Sequence, residues 1–120
     1  MRSITTHVVS GNPVNEGITL AAIDGPGPGG ASHLYTINPR DGAVCKINFQ
    51  MGGVEDNGVN GVTNEALLAV VIDRLRSFQA GPFACDENAI ALLKCQGALV
   101  WLHKRTSDRM ARGVEGKEIK

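Results

Sequence analysis

The feature that most constrains this chain is a change of apolar period near residue 61. Before it, apolar residues come in short runs that alternate with polar ones and are broken by glycine and proline. After it, they recur at the three-to-four spacing of an α-helix almost to the end. A chain of 120 residues with this switch reads as α+β: a small N-terminal antiparallel β-sheet followed by a C-terminal antiparallel two-helix hairpin. Four strands are predicted, at Ser3–Val9, Gly17–Ile23, Ser32–Ile37 and Ala43–Phe49. The last is the clearest, since Cys45, Ile47 and Phe49 alternate with Val44, Lys46 and Asn48. Gly11-Asn12-Pro13 breaks the first run, and Asn38-Pro39-Arg40-Asp41-Gly42 turns the third into the fourth. The predicted organisation is a β region over 1–50, a glycine-rich linker over 51–61, a helical hairpin over 62–113 and a frayed polar tail over 114–120.

The first helix is predicted over 63–79, with Thr63 as N-cap and Glu65 in the first turn, where the helix dipole favours an acid. Its polar stripe is narrow: Glu65, Ala69, Asp73 and Arg76. The rest of the surface carries Leu67, Leu68, Val70, Val71, Ile72, Leu75 and Phe78, interrupted mainly by Arg74. That arc is wider than a helix with one buried side needs. Burial on more than one side follows, and in so short a chain the second side is expected to come from neighbouring subunits. Gly81-Pro82 forms the turn, Asp86 is the expected cap of the second helix, and Gly113 is its natural stop.

Composition narrows the partners. The net charge is zero, which argues against a nucleic-acid polymer, whose binding is driven by phosphate neutralisation. The charge is nevertheless uneven: residues 101–120 carry six Lys and Arg against three Asp and Glu, enough for a small anion. Cys45, Cys85 and Cys95 are odd in number and lack metal-ligand spacing, as expected of reduced thiols. No apolar run is long enough for a membrane span, and no signal-peptide core precedes the first strand. His7, His33 and His103 are isolated. No nucleophile elbow, phosphate-binding loop or carboxylate cluster is present, and Pro26 and Pro28 remove amides from the one glycine run that could cradle a phosphate. Neither catalytic residues nor a metal nor a cofactor is expected.

Two clusters carry candidate binding chemistry. At the base of the hairpin, Asn60-Gly61-Val62-Thr63 runs into a helix N-terminus, a natural anion site. Arg105 and Arg109, one turn apart on the returning helix, can flank it with guanidinium groups. The plainer alternative is simple capping beside a solvated basic face. At the tip, Phe78, Gln79, Phe83 and Asn88 offer an aromatic ring beside amides, suited to stacking a base and reading its edge. The alternative there is that both phenylalanines close a core beneath the turn. Asn88 and Arg105 lie 17 positions apart on one helix, about 25 Å at 1.5 Å per residue. One small ligand cannot touch both within a subunit, so there are two sites or the tip of one hairpin meets the base of another.

Several of these segments together resemble a known family. They are Ile47-Asn48-Phe49-Gln50, the run from Glu55 through Ala69, Val71-Ile72-Asp73-Arg74-Leu75, Phe78-Gln79-Ala80-Gly81-Pro82-Phe83-Ala84-Cys85, Glu87-Asn88-Ala89, and Trp101-Leu102-His103-Lys104-Arg105-Thr106 followed by Asp108-Arg109 and Arg112-Gly113-Val114-Glu115-Gly116. Over about residues 45–116 they resemble the helical hairpin of the type 1 Thoeris anti-defence proteins of phages, a hairpin shared with type 2 anti-CBASS proteins. The resemblance implies a sponge working in the cytoplasm of the infected bacterial host. Such a protein sequesters cyclic ADP-ribose isomers without cleaving them, holds cyclic tri- or dinucleotides at separate sites, and assembles as a hexamer. It implies ligand contacts from Phe78 and Asn88 at the tip, from Arg105 in the Arg-Thr-x-Asp-Arg motif, and from Gly61 and Thr63 at the cyclic-oligonucleotide site. Asp86 stands where the family pattern has an arginine, and Lys94-Cys95-Gln96-Gly97 where a Leu-Glu-Glu-Ala-like stretch is usual. Two other functions compete: an enzyme that degrades cyclic nucleotides, marked by altered ligand, and an interaction module without ligand, marked by a monomer with an exposed apolar patch.

Overall fold

The protein is described here by a computed structural model covering every residue except Glu118. It forms two units, Met1–Val62 and Thr63–Lys120, each an α+β or helical body with its own logic.

The first unit is a four-stranded antiparallel meander in the order β1-β2-β3-β4, with β1 at Arg2–Ile4, β2 at Ile18–Ala22, β3 at Leu34–Pro39 and β4 at Cys45–Asn48. Between β1 and β2 lies one helical turn, α1 (Pro13–Glu16), and after β4 a second, α2 (Val54–Asn57). Register pairs Ile4 with Leu20, Leu20 with Ile37 and Ile37 with Cys45; one step away, Ala22 faces Tyr35 and Tyr35 faces Ile47. Paired residues share a face, so these apolar side chains gather on one side of the sheet, while Ser3, Ala21, Thr36 and Lys46 line the other. Tyr35 meets Phe49 edge to face, with ring centroids 5.5 Å apart.

Asp24 fastens the proline–glycine loop to this sheet. Its carboxylate accepts from the amides of His33 and Leu34 at 3.0 Å, and its carbonyl accepts from the Ser32 hydroxyl. The hydrogen bond from Leu34, more than any other interaction, holds the Asp24 carboxyl below its ordinary value, helped by the amide of His33 and by its imidazole. His33 itself is buried under the loop. A Cβ on Gly27 would sit 3.4 Å from its Nδ1, at ordinary van der Waals contact, so the loop lies directly against the ring.

Several local expectations are corrected. The first strand stops at Ile4 instead of Val9, because the chain turns at Thr5–Val8 and the His7 ring bonds the Ile18 carbonyl at 2.7 Å. Gly11-Asn12-Pro13, expected to break that strand, lies well beyond its end and instead starts α1: the Asn12 side chain caps the amides of Val14 and Asn15. Residues 51–61 are a stitched loop, belonging to the first unit, and not a plain linker. Gln50 donates to the carbonyls of Gly58 and Gly52 and accepts from the Asn60 amide. The loop ends alongside β4, where Phe49 and Val62 form a parallel bridge. Gly61 is required at that approach, since a Cβ there would lie 2.4 Å from the Phe49 carbonyl carbon.

The second unit is the helical hairpin. Its helices are α3 (Asn64–Gln79), capped by Thr63, and α4 (Asp86–Ala111), which pack antiparallel. The cap of α4 is Cys85, whose Sγ accepts from the Asn88 amide at 3.5 Å; Asp86 falls one position later, inside the first turn. The tip is closed by Gln79, whose side-chain oxygen accepts from the Cys85 amide. Within α3 and α4 the only buried apolar side chain is Ile72. Val70, Leu93, Val100, Trp101 and Met110 are each more than half exposed. No helix is long and apolar enough to cross a membrane among the described residues.

Replacing Asp24 by Asn removes a carboxylate that folding stabilises. A lowered folded-state value means that its contribution is present above the unfolded pKa, about 3.9, and is lost as pH falls through the lower folded value. Urea titrations are expected to find Asp24→Asn less stable than the parent at pH 7, with the gap closing below pH about 4.

Candidate functional site

The residues singled out by sequence fall into two groups: those spent on holding the chain together and those left unpaired. Asn60 belongs to the first. Its Oδ1 accepts from the Met51 amide at 2.9 Å and its Nδ2 donates to the Met51 carbonyl at 2.8 Å, so the side chain pairs with the backbone of its own loop. Gly61 serves the close approach to Phe49. Thr63 caps α3, its hydroxyl accepting from the Ala66 amide at 3.1 Å. The amides of the first turn beyond that one point out of the helix end, as at any N-terminus.

Arg109 is the most heavily engaged of these residues. The spacing places it beside Arg105 as a second anion ligand, but its side chain is 8% exposed. Its Nε donates to the Glu115 carboxylate at 3.1 Å, and Nη2 donates to the carbonyls of Val114 and Lys117 at 2.8 and 2.9 Å. Nη1 donates to the Ile119 carbonyl, and Arg112 donates to that of Lys120. The tail expected to fray is bonded to this guanidinium through Val114, Glu115, Lys117 and Ile119. In this conformation Arg109 is a clasp, with four of its donor bonds made to the tail.

Arg105 is different. It is exposed on α4 and makes no ion pair or side-chain hydrogen bond among the described residues. Its neighbours Lys104 and Asp108 pair with each other at 3.1 Å, leaving it out. One turn before it, Leu102 joins Asn64, Leu67, Leu68 and Val71 around an open apolar groove of about 420 Å³. Arg105 therefore stands at the same end of the hairpin as the α3 N-terminus.

At the tip, the core-closing alternative is not what the rings do. Phe83 is 74% exposed and Phe78 40%. The Asn88 side-chain amide has no partner among the described residues; only its backbone amide is bonded. Gln79, in contrast, is consumed by the turn. One member of the tip escaped the sequence reading: Arg74, which lies over the Phe78 ring with Cζ 5.5 Å from the centroid. The signal was present, since Arg74 and Phe78 are spaced i, i+4 on a helix.

Residues 41–107 match the family model of the Acb2/Tad1 hairpin domain. The chain belongs to this family. The match takes in β4, α2, α3 and most of α4, hence Phe78, Asn88 and Arg105, and ends before Arg109 and the tail. Among curated proteins, the chain is 49% identical over 94 residues to Thoeris anti-defense 1 of Bacillus phage SBSphiJ7. The matched stretch is 78% of this chain and 66% of that relative, so the chain spans a little under two thirds of its length. The Acb2/Tad1 hairpin is thus the part of the molecule that carries both the unpaired polar groups and the exposed apolar helix faces.

The clasp has a direct consequence. Arg109→Ala is expected to release the tail, so that trypsin cuts after Lys117 much faster than in the parent. Loss of hydrogen bonds to a charged group should also lower stability by about 1.5–3 kcal/mol. Mass spectrometry of a timed digest and a thermal melt check the two effects separately.

Proposed function

We propose that this protein is a phage anti-defence sponge, one that holds cyclic nucleotide immune signals without cleaving them inside the infected bacterium. Its ligands are cyclic ADP-ribose isomers of the Thoeris type, with cyclic di- or trinucleotides of the CBASS type at a separate site. The name of the phage relative supports the anti-defence part. The observation that supports the binding part is the unspent chemistry of the hairpin: an exposed Phe78, and an Asn88 side-chain amide and an Arg105 guanidinium with no partner among the described residues. A base stacks on an aromatic face, an amide reads its edge, and a guanidinium takes a phosphate with two parallel hydrogen bonds.

The chemistry of these groups suits capture better than turnover. A phenyl ring cannot transfer a proton, a side-chain amide is neutral across the physiological range, and arginine stays protonated. None can act as the general base that opening a glycosidic or phosphodiester bond requires. Tip and base groups lie about 25 Å apart along α4, so a pocket using both needs more than one copy. The exposed apolar faces of α3 and α4 supply a reason for copies to associate, and we take the assembly to be a hexamer.

Capture and release tests the proposal. Purified protein is mixed with cyclic ADP-ribose isomers and cyclic di- and trinucleotides, filtered free of unbound ligand and denatured. Intact ligand released in stoichiometric amount is the expected result; altered ligand would indicate an enzyme, and no ligand an interaction module. Arg105→Ala should weaken capture of a phosphate-rich ligand by about tenfold, or 1.4 kcal/mol, with the melting temperature unchanged.

A further inference from the structure

We propose that Arg74 is a ligand-contacting residue of the hairpin tip: with Phe78 it forms a cation–aromatic platform for a nucleotide, ring against base and guanidinium against phosphate. The inference rests on the sponge reading above and assigns it a residue that neither spacing nor composition had marked for binding.

Arg74 is anomalous for its position. It interrupts the broad apolar arc of α3, between Val70 and Val71 on one side and Leu75 and Phe78 on the other. A guanidinium on such a face is expected to pair with a carboxylate or to be replaced by an apolar residue. Arg74 does neither: it makes no ion pair and no side-chain hydrogen bond among the described residues. Acidic groups are not lacking near the tip, since Asp73 adjoins it in sequence and Asp86 and Glu87 open α4. Its one contact of note is the Phe78 ring, 5.5 Å from Cζ to centroid.

That geometry has two effects. The guanidinium covers one face of Phe78 and so restrains the ring, while the 40% exposure of the residue leaves surface for a second stacking partner. A guanidinium that stacks on a ring through its flat face keeps its N–H donors, which lie in the plane, available to an anion. A nucleotide presents a flat base and, one sugar away, a phosphate. Phe78 and Arg74 present the complementary pair within one helical turn, and the unpaired Asn88 amide adds an edge-reading group on α4. Phosphate is preferred to a carboxylate-bearing peptide because the site joins the cation to an aromatic surface open for stacking.

The test compares binding of cyclic ADP-ribose isomers and of phosphate-free adenosine by calorimetry, using the full-length parent, Phe78→Leu, Arg74→Gln and Arg74→Lys. Arg74→Gln is expected to weaken the captured isomer by about tenfold or more and to weaken adenosine, which brings no phosphate, by much less. Phe78→Leu is expected to weaken both. Arg74→Lys keeps the charge but loses the planar fork, and should fall between the parent and Arg74→Gln. A normal far-ultraviolet spectrum and melting temperature show that the variants fold; should Arg74→Gln fail to fold, Arg74→Lys decides. Parental affinity for the isomer in the folded Arg74 variants, with loss in Phe78→Leu, overturns the role of Arg74 and leaves the sponge reading standing. A parent that binds none of the isomers overturns the sponge reading, and the role of Arg74 with it.

Discussion

A hairpin of two helices can hide only the strip along which they touch, and that limit shapes this protein. Helix α3 is apolar around most of its circumference, yet within the chain it buries one side chain, Ile72. Val70 and Val71 stay 57% and 44% exposed, and across on α4 Leu93, Val100 and Trp101 are 65% exposed or more. Each large apolar side chain moved from water into a packed interface contributes about 1.5–3 kcal/mol. A surface of this kind is unfavourable in an isolated subunit and favourable in an assembly. The proposed hexamer, and pockets that draw on the tip of one hairpin and the base of another, both descend from this one imbalance.

The polar groups divide according to the same economy of contacts. Asp24, Asn60, Gln79 and Arg109 each satisfy backbone groups that would otherwise be unpaired in a loop, a turn or a chain end. Their side chains are committed before any ligand arrives. Asn88, Arg105 and Arg74 are not: each is held on a regular helix, which fixes its position, while its side-chain hydrogen-bonding atoms have no partner among the described residues. Rigid placement with unsatisfied donors is what a binding protein requires, because the ligand then supplies the missing partners with little reordering of the chain. Arg105 and Arg109 show how fine the division is. They share a helix and lie one turn apart, yet among the described residues Arg105 has no side-chain partner while Arg109 bonds Val114, Glu115, Lys117 and Ile119.

Where periodicity decides structure, the sequence was legible. The alternation of Cys45, Ile47 and Phe49 and the helical spacing from Leu67 to Phe78 gave the sheet and the hairpin, because side-chain direction follows from backbone period. Thr63 as a cap was likewise local. What could not be read depends on partners distant in sequence or on competition between neighbours. His7 ends the first strand by reaching Ile18, eleven residues on. Cys85 caps α4 ahead of Asp86 although aspartate is the commoner cap, since Gln79 fixes the amide of Cys85 at the turn. Asn60 and Arg109 have the composition of ligand groups, and only the structure shows that their side chains bond the backbone of a loop and of the tail. At the tip, sequence left open whether Phe78 and Phe83 were core or surface, and exposure answers that.

The most direct test of the central claim is the solution mass of the protein, measured by sedimentation velocity for the parent chain and for Val71→Glu. A parent species near six times 12.7 kDa that breaks down to smaller species in the variant is expected, because a carboxylate on the exposed arc of α3 cannot be buried between copies without a large desolvation cost. A parent that sediments as a single chain, or a variant that keeps the parental mass, would contradict the claim that the apolar faces of the hairpin are covered by other copies.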